Sequence, residues 1–467
     1  MTIDWQQAAQ QHKDDYLADL TTMLRVPSFR DDSKATADAP LGPGPKQALE
    51  TFLAIAKRDG FKTKNIDNLV GYAEYGEGDE TLAVLAHVDE MPAGNGWDTD
   101  PFEPTIKDGK LYARGASDDK GPGMAAYYGL KIVKELGLKL NKKVRFIVGT
   151  DEESNWTGMK RYFEVEPAPT FGFSPDAEFP LINGEKGNVS LKLHFGTADN
   201  GAAKLVSFDS GLRENMVPRE AVAVVTAPDA AQLTADFNAF LAGQPVTGSV
   251  AETADGLKFE VVGKAAHGQE PRNGINAGTY LATFLSQYDF GGDAANFLTF
   301  IATKLHDDSR VEQLDLAFTD DVMGDLTMNV GLLHFDHEQG GDLTLNFRYP
   351  KGIEPADLTT KIKAQVPAGT TVAQGDYMVP HYVDPQDPIV KELMDVYRRQ
   401  TGDHDSEPEI VGGGTYGRMM DRGVAFGALF PHTQDTMHQA NEFQPVDDLL
   451  AAMAIYAESI AVLTTDN

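Results

Sequence analysis

The chain contains no cysteine. Disulfides and thiolate metal sites are therefore excluded, and His, Asp and Glu are left as the side chains able to hold a metal ion. It also has no apolar run near the ~18 residues that a membrane-spanning helix needs. The N-terminal MTIDWQQAAQQHKDDYLADL has neither the basic nor the apolar region of a secretion signal, so a cytoplasmic location is expected. Positive charge is scarce: 40 Lys and Arg stand against 71 Asp and Glu, a formal charge of −31. Phosphates would be repelled over much of such a surface, which argues against nucleic acid and anionic membrane as partners. Most of this acidity reads as solubility.

At 467 residues with 41% hydrophobic side chains, the chain is long enough for two domains, or for one domain with a large insertion. Helical spacing of apolar residues predicts surface helices over 13–27 and 47–60. TLAVLAHV at 81–88, KKVRFIVGTDEES at 142–154 and FGFSPDAEFP at 171–180 read as apolar strands that each run into acids or a histidine, and 120–137 reads as a helix among them. Strands alternating with helices, with polar groups collected at the strand ends, predict an α/β fold: a mostly parallel sheet flanked by helices, as in zinc peptidases.

Between 186 and 381 the texture changes to short strands such as AVAVV, LKFEVVG and DLTLNFRYP, with helices near 275–288 and 355–365. A hairpin is expected across Gly340 and Gly341. This stretch is predicted to be an inserted α+β lid, giving a catalytic domain in two segments, 1–185 and 382–467, around a lid domain at 186–381. Helices are expected again after Pro385 and from about 446.

An acidic triplet such as Asp151-Glu152-Glu153 arises about once or twice by chance in a chain of this acidity, and HxD at 87–89 is equally cheap. Placement is what singles them out. His87, Asp118, Glu153 and Asp176 each follow an apolar run or a Gly-rich turn at successive strand ends of one inferred sheet. Carboxylates brought together there would raise one another's pKa unless cations lay between them. Imidazole and carboxylate donors suit Zn²⁺, with Mn²⁺ or Co²⁺ as substitutes.

The ordered motifs HVD, RGASDDKG, TDEES, SPDAE and MHQANE resemble those of the M20 metallopeptidases, over nearly the whole chain. The stretches FSPDAEFP, RENMVP and GKAAHGQEPRNGINA resemble the dipeptidase branch of that family. The resemblance implies two Zn²⁺ per chain on His87, Asp118, Glu153, Asp176 and His438, with Asp118 bridging and a cis peptide after it. Asp119 is the alternative to Asp118. The resemblance also makes Asp89 the residue that orients His87, and Glu152 the general base acting on a hydroxide held by both metals. His267 would stabilise the oxyanion, while Asn215, Arg348, Gly413 and Gly414 would bind substrate. His334, His337, His381 and His432 are assigned no role, and Met124, Tyr127 and Tyr128 are expected in the core.

The implied activity is hydrolysis of dipeptides with free N- and C-termini, including β-alanyl dipeptides such as carnosine. A deacylase or desuccinylase acting on N-acyl amino acids would keep every metal ligand, and a silent peptide-binding protein would have no use for Glu152. The large insertion implies a monomer whose lid takes the place of a dimer partner.

Overall fold

A computed structural model describes residues 3–198 and 200–465. It divides into two compact units, the first formed by 1–184, 382–410 and 414–467, the second by 185–381 and 411–413. Val411–Gly413 thus groups with the second unit, although the sequence reading places it in the second catalytic segment.

The first unit is built on a nine-stranded sheet whose first six strands are, in spatial order, Lys62–Ile66, Val70–Tyr75, Lys143–Gly149, Thr81–His87, Phe171–Ser174 and Gly423–Ala425. The last four of these are mutually parallel, and the first two are antiparallel additions at one edge. The expected parallel sheet is therefore its centre, and the whole is mixed. Thr81–His87 and Lys143–Gly149 are buried from their second residue onward, as strands covered on both faces must be.

Lys120–Glu135 is a helix buried almost all round, including Met124, Tyr127 and Tyr128. Val446–Thr464 packs across it at Gly129, where a Cβ would stand 2.9 Å from the backbone nitrogen of Ala457. Only glycine permits that approach. Tyr127, Phe52 and Phe146 meet with ring centroids 5.3–5.7 Å apart, a spacing that adds to the area they bury.

The second unit holds an eight-stranded sheet in which every recorded pairing is antiparallel. Two of its interior strands are Thr327–Asp336 and Gly340–Tyr349. Helices Ala277–Leu285 and Pro355–Gln365 lie within the expected spans, while Ala230–Leu241 and Gly292–Phe300 are additional. The hairpin turn lies at 337–339 rather than across the glycines, since Asp336 pairs with Gly340. Asp336 Oδ1 accepts from the Glu338 and Gln339 amides, and Gly340 takes φ +93°. Among the described residues no helix is long and apolar enough to cross a membrane.

Candidate metal centre

Parallel strands deliver their C-terminal ends to one edge of the sheet. His87 is the last residue of Thr81–His87, Glu152 and Glu153 follow Lys143–Gly149 directly, and Asp176 follows Phe171–Ser174. Asp118 lies just ahead of the helix beginning at Lys120. His438 comes from a loop tied back by the strand Phe443–Pro445, which pairs with Lys110–Tyr112.

These residues form two donor groups, His87 with Asp176 and Glu152, and Asp118 with Glu153 and His438, each with donor atoms within 4.8 Å of one another. Asp118 also faces the first group. Its Oδ1 is 3.0 Å from His87 Nε2 and its Oδ2 is 2.8 Å from His438 Nε2. Beyond these, His87 Nε2 lies 3.5 Å from Asp176 Oδ2, and His438 Nε2 lies 3.0 Å from Glu153 Oε1. Donors on a tetrahedral zinc with bonds of about 2.0–2.1 Å stand roughly 3.3 Å apart, so both groups have the spacing of ligand sets. The peptide Asp118–Asp119 is cis.

Charge and tautomer point the same way. His87 Nδ1 is 3.1 Å from the carbonyl oxygen of Asp89, which can only accept. The neutral ring therefore carries its proton on Nδ1 and turns the lone pair of Nε2 toward two carboxylates. His87 Nε2 and Glu153 Oε1 are both buried without a hydrogen-bond partner.

Burial and the charge of Asp176 push the Glu152 carboxyl well above the usual range. Burial and Asp118 push Asp176 up, and push Glu153 up to about 7. Burial opposes the charged form of both imidazoles, yet Asp118 and Asp176 raise His87, and Asp118 and Glu153 raise His438 to about 11. For Asp118, burial is outweighed by His438 and His87, which hold it well below the usual range. Crowded acids that need positive charge to ionise together, with unpartnered donor atoms at tetrahedral spacing, fit divalent cations.

Asp89 touches more than His87. One carboxylate oxygen stands 3.4 Å from Nδ1, and the two oxygens accept the backbone N–H groups of Glu152 and Glu153 at 3.1 Å each. It thereby fixes the turn that separates those two acids. Asp151 caps the helix Thr157–Val165 through the amides of Thr157 and Gly158 at 2.6 and 3.0 Å. Asp119 accepts the His87 amide at 3.0 Å and lies outside both donor groups, whereas Asp118 lies in one of them.

Three supporting residues escape a reading of the sequence. Glu442 is fully buried, accepts the amides of Ser117 and Asp118 at 2.8 and 3.2 Å, and pairs with buried Arg114. It ties the His438 loop to the Asp118 loop across the length of the chain, and its place in MHQANE is the only signal of it. Glu442→Ala is expected to lower stability by about 3–5 kcal/mol, because Arg114 would stay buried without its partner; urea unfolding of the two proteins measures this. Tyr416 is the second. It is buried, its ring is edge-on to His87 with centroids 6.3 Å apart, and it covers Gly149, where a Cβ would meet its hydroxyl at 2.4 Å.

The remaining predicted residues other than Gly414 belong to the second unit. Met216 and His267 form an isolated β-bridge, and the Gly268 amide donates to the Asn215 carbonyl at 2.7 Å, so the Asn215 and His267 loops are joined. The Gln269 amide donates to His267 Nδ1 at 3.1 Å. That places the proton of the neutral ring on Nε2. Arg348 donates from Nε to Asn346 Oδ1 at 3.2 Å and from Nη1 to the Gly412 carbonyl at 2.6 Å. Asn346 is the third residue missed: it is buried and held by Asn188 Oδ1 and Ser190 Oγ, and it sets the plane of the guanidinium. Neither Gly413 nor Gly414 has positive φ, and the glycine of this run that meets Arg348 is Gly412.

Residues 83–461 match the model of peptidase family M20/M25/M40. The chain is 43% identical to a protein of Staphylococcus saprophyticus named "putative dipeptidase", over 99% of this chain and 100% of that one. Human carnosine dipeptidase 1 has a similar structure, with TM-score 0.59 at 14% identity over 98% of this chain and 97% of the other. Bacillus subtilis YXEP, described as a dinuclear metal binding peptidase from the M20 family, gives 0.51 at 11% identity over 97% and 98%. At these identities the structures speak for the fold, and the family rests on the sequence matches. The chain belongs to peptidase family M20/M25/M40 and is a metallopeptidase.

Proposed function

We propose that this protein is a zinc-dependent dipeptidase acting on dipeptides with free N- and C-termini, β-alanyl dipeptides such as carnosine included. The observation that carries the reading is the Asp118 carboxylate, with one oxygen toward His87 and the other toward His438. One acid shared between two donor groups is the arrangement of a two-metal site. Five donors would hold the pair: His87 and Asp176 on one side, Glu153 and His438 on the other, and Asp118 between them. The absence of cysteine and the imidazole–carboxylate set favour Zn²⁺, with Mn²⁺ or Co²⁺ as substitutes. When bound, such cations supply Lewis acidity, which polarises a peptide carbonyl and makes water acidic enough to ionise near neutral pH.

The chain's own groups supply the rest. Glu152, with its backbone anchored by Asp89, is the base that takes a proton from the attacking water and returns it to the leaving amine. His267, protonated on Nε2, is a donor for the oxyanion of the tetrahedral intermediate. Arg348, its plane set by Asn346 and Gly412, would offer its Nη1/Nη2 edge to the substrate carboxylate, with Asn215 and the backbone at Gly413 and Gly414 as further contacts. In this reading the enzyme is cytoplasmic and monomeric, with the second unit in place of a partner subunit.

Arg348→Ala should lower kcat/KM for a free dipeptide by about 10–100-fold, mainly through KM, since a charge-assisted hydrogen bond is worth roughly 1.5–3 kcal/mol. A dipeptide amide should lose little further on that substitution. The substrate class is tested by rates on matched free, N-acetylated and N-succinylated dipeptides and amino acids. Preference for free dipeptides supports the reading, and preference for the N-acyl amino acids replaces it with a deacylase.

A further inference from the structure

The second unit contains a cleft of about 310 Å³ that none of the residues discussed for catalysis lines. That volume is at the lower end of small-molecule sites, which span about 300–1,000 Å³. Its walls are apolar at Val217, Ile275, Leu305, Met328 and Val330. Three charged residues line it, Arg272, Asp307 and Asp308. The Asp308 carboxylate is already used, accepting the amides of Glu312 and Gln313 at 2.9 and 2.7 Å.

The other two are more exposed. Arg272 is exposed and has no carboxylate within ion-pair distance among the described residues, although its charge acts on the nearby Glu270. Asp307 has a 64% exposed side chain; its contacts are the Tyr280 hydroxyl at 2.9 Å and, more distantly, His306 Nε2 at 3.7 Å. Asn329 also lines the cleft, with only 1% of its surface exposed. Its Nδ2 donates to the carbonyls of Glu214 and Met216 at 2.9 and 2.8 Å, while its Oδ1 is buried without a hydrogen-bond partner.

We propose that this cleft binds a free α-amino acid with an apolar side chain. The carboxylate would pair with Arg272, the ammonium with Asp307, and the side chain would lie on the apolar wall. A ligand lacking either charge would leave one of these groups unanswered.

The position gives such binding a consequence. Val217, which lines the cleft, donates its amide to the Ala266 carbonyl at 2.9 Å, and Asn329 holds the carbonyls on either side of Asn215. The occupied cleft therefore braces the two loops that carry Asn215 and His267. That the ligand is also a product of the enzyme rests on the dipeptidase reading; the site itself does not.

The test is equilibrium dialysis of the metal-loaded full chain against radiolabelled L-leucine, with leucinamide and N-acetylleucine as competitors. Leucine should bind, and each competitor should be weaker by about tenfold or more, as loss of one charged contact requires. Arg272→Ala and Asp307→Asn should each weaken leucine binding to a similar degree, whereas Arg348→Ala should leave it within about twofold. Initial dipeptide rates of Arg272→Ala, without added leucine, should match the parent protein. No leucine binding, unchanged binding in both cleft variants, or loss in Arg348→Ala alone overturns the proposal. Leucine binding with the predicted pattern in a chain that does not cleave dipeptides would retain the cleft and refute the dipeptidase reading instead.

Discussion

Glu152→Gln is expected to lower kcat by about 10²–10⁴-fold, the usual contribution of a positioned general base, while metal content stays at two ions per chain. The substitution keeps the size of the side chain and removes only its capacity to accept a proton. Its backbone anchors, the Asp89 carboxylate and the Trp156 indole, bond to the main chain of residue 152 and are untouched. The prediction is sharp because the geometry also admits another role. A Glu152 oxygen lies within 4.8 Å of donor atoms on His87 and Asp176, so Glu152 could serve as a third ligand of that group. A ligand and a base separate on one measurement. If the Gln variant loses an ion, as seen by plasma emission analysis of the dialysed protein, Glu152 is a ligand and the base must be sought elsewhere.

Asp118→Ala should have the larger effect on metal, reducing the content from two ions to fewer than one per chain and abolishing hydrolysis. Asp118 has one oxygen near each imidazole, so its removal leaves His87 and Asp176 on one side, and Glu153 and His438 on the other, without their common carboxylate. It would also remove from both imidazoles the carboxylate that raises them most. His438→Ala is the matched control and should remove about one ion, since it touches only Asp118 and Glu153. Equal loss in the two variants would show that the groups do not share Asp118. Activity and metal content measured on the same samples, with circular dichroism to verify folding, decide this.

Much of the candidate site is visible in the sequence for a simple reason. A strand buried on both faces has to be a continuous apolar run, so the polar residue that ends it stands out, as His87 does after TLAVLA and Asp151-Glu152-Glu153 do after VRFIVGT. The supporting residues have no such contrast. Glu442 is one acid among 71, and what makes it matter is a pair of hydrogen bonds to amides 324 and 325 residues away. Asn346 looks like any strand residue until its neighbours Asn188 and Ser190 arrive from another strand.

The second unit hides its layout similarly. AAQLTADFNAFL mixes polar and apolar residues so evenly that its helix goes unnoticed, and only Leu233 and Phe237 are buried. Edge strands such as Lys62–Ile66 are largely exposed, leaving no apolar signal by which an antiparallel addition to a parallel sheet could be foreseen. Arg348 meets the glycine run Gly412, Gly413 and Gly414 at the Gly412 carbonyl, and which of three identical residues receives it is set by register.

The most direct test is to remove all metal with a chelator and titrate Zn²⁺ back while following hydrolysis of an unblocked dipeptide. The apo-protein is predicted to be inactive, with activity returning and saturating at two equivalents per chain. Hydrolysis that survives complete metal removal, or that saturates at one equivalent, would contradict a two-cation centre shared by Asp118.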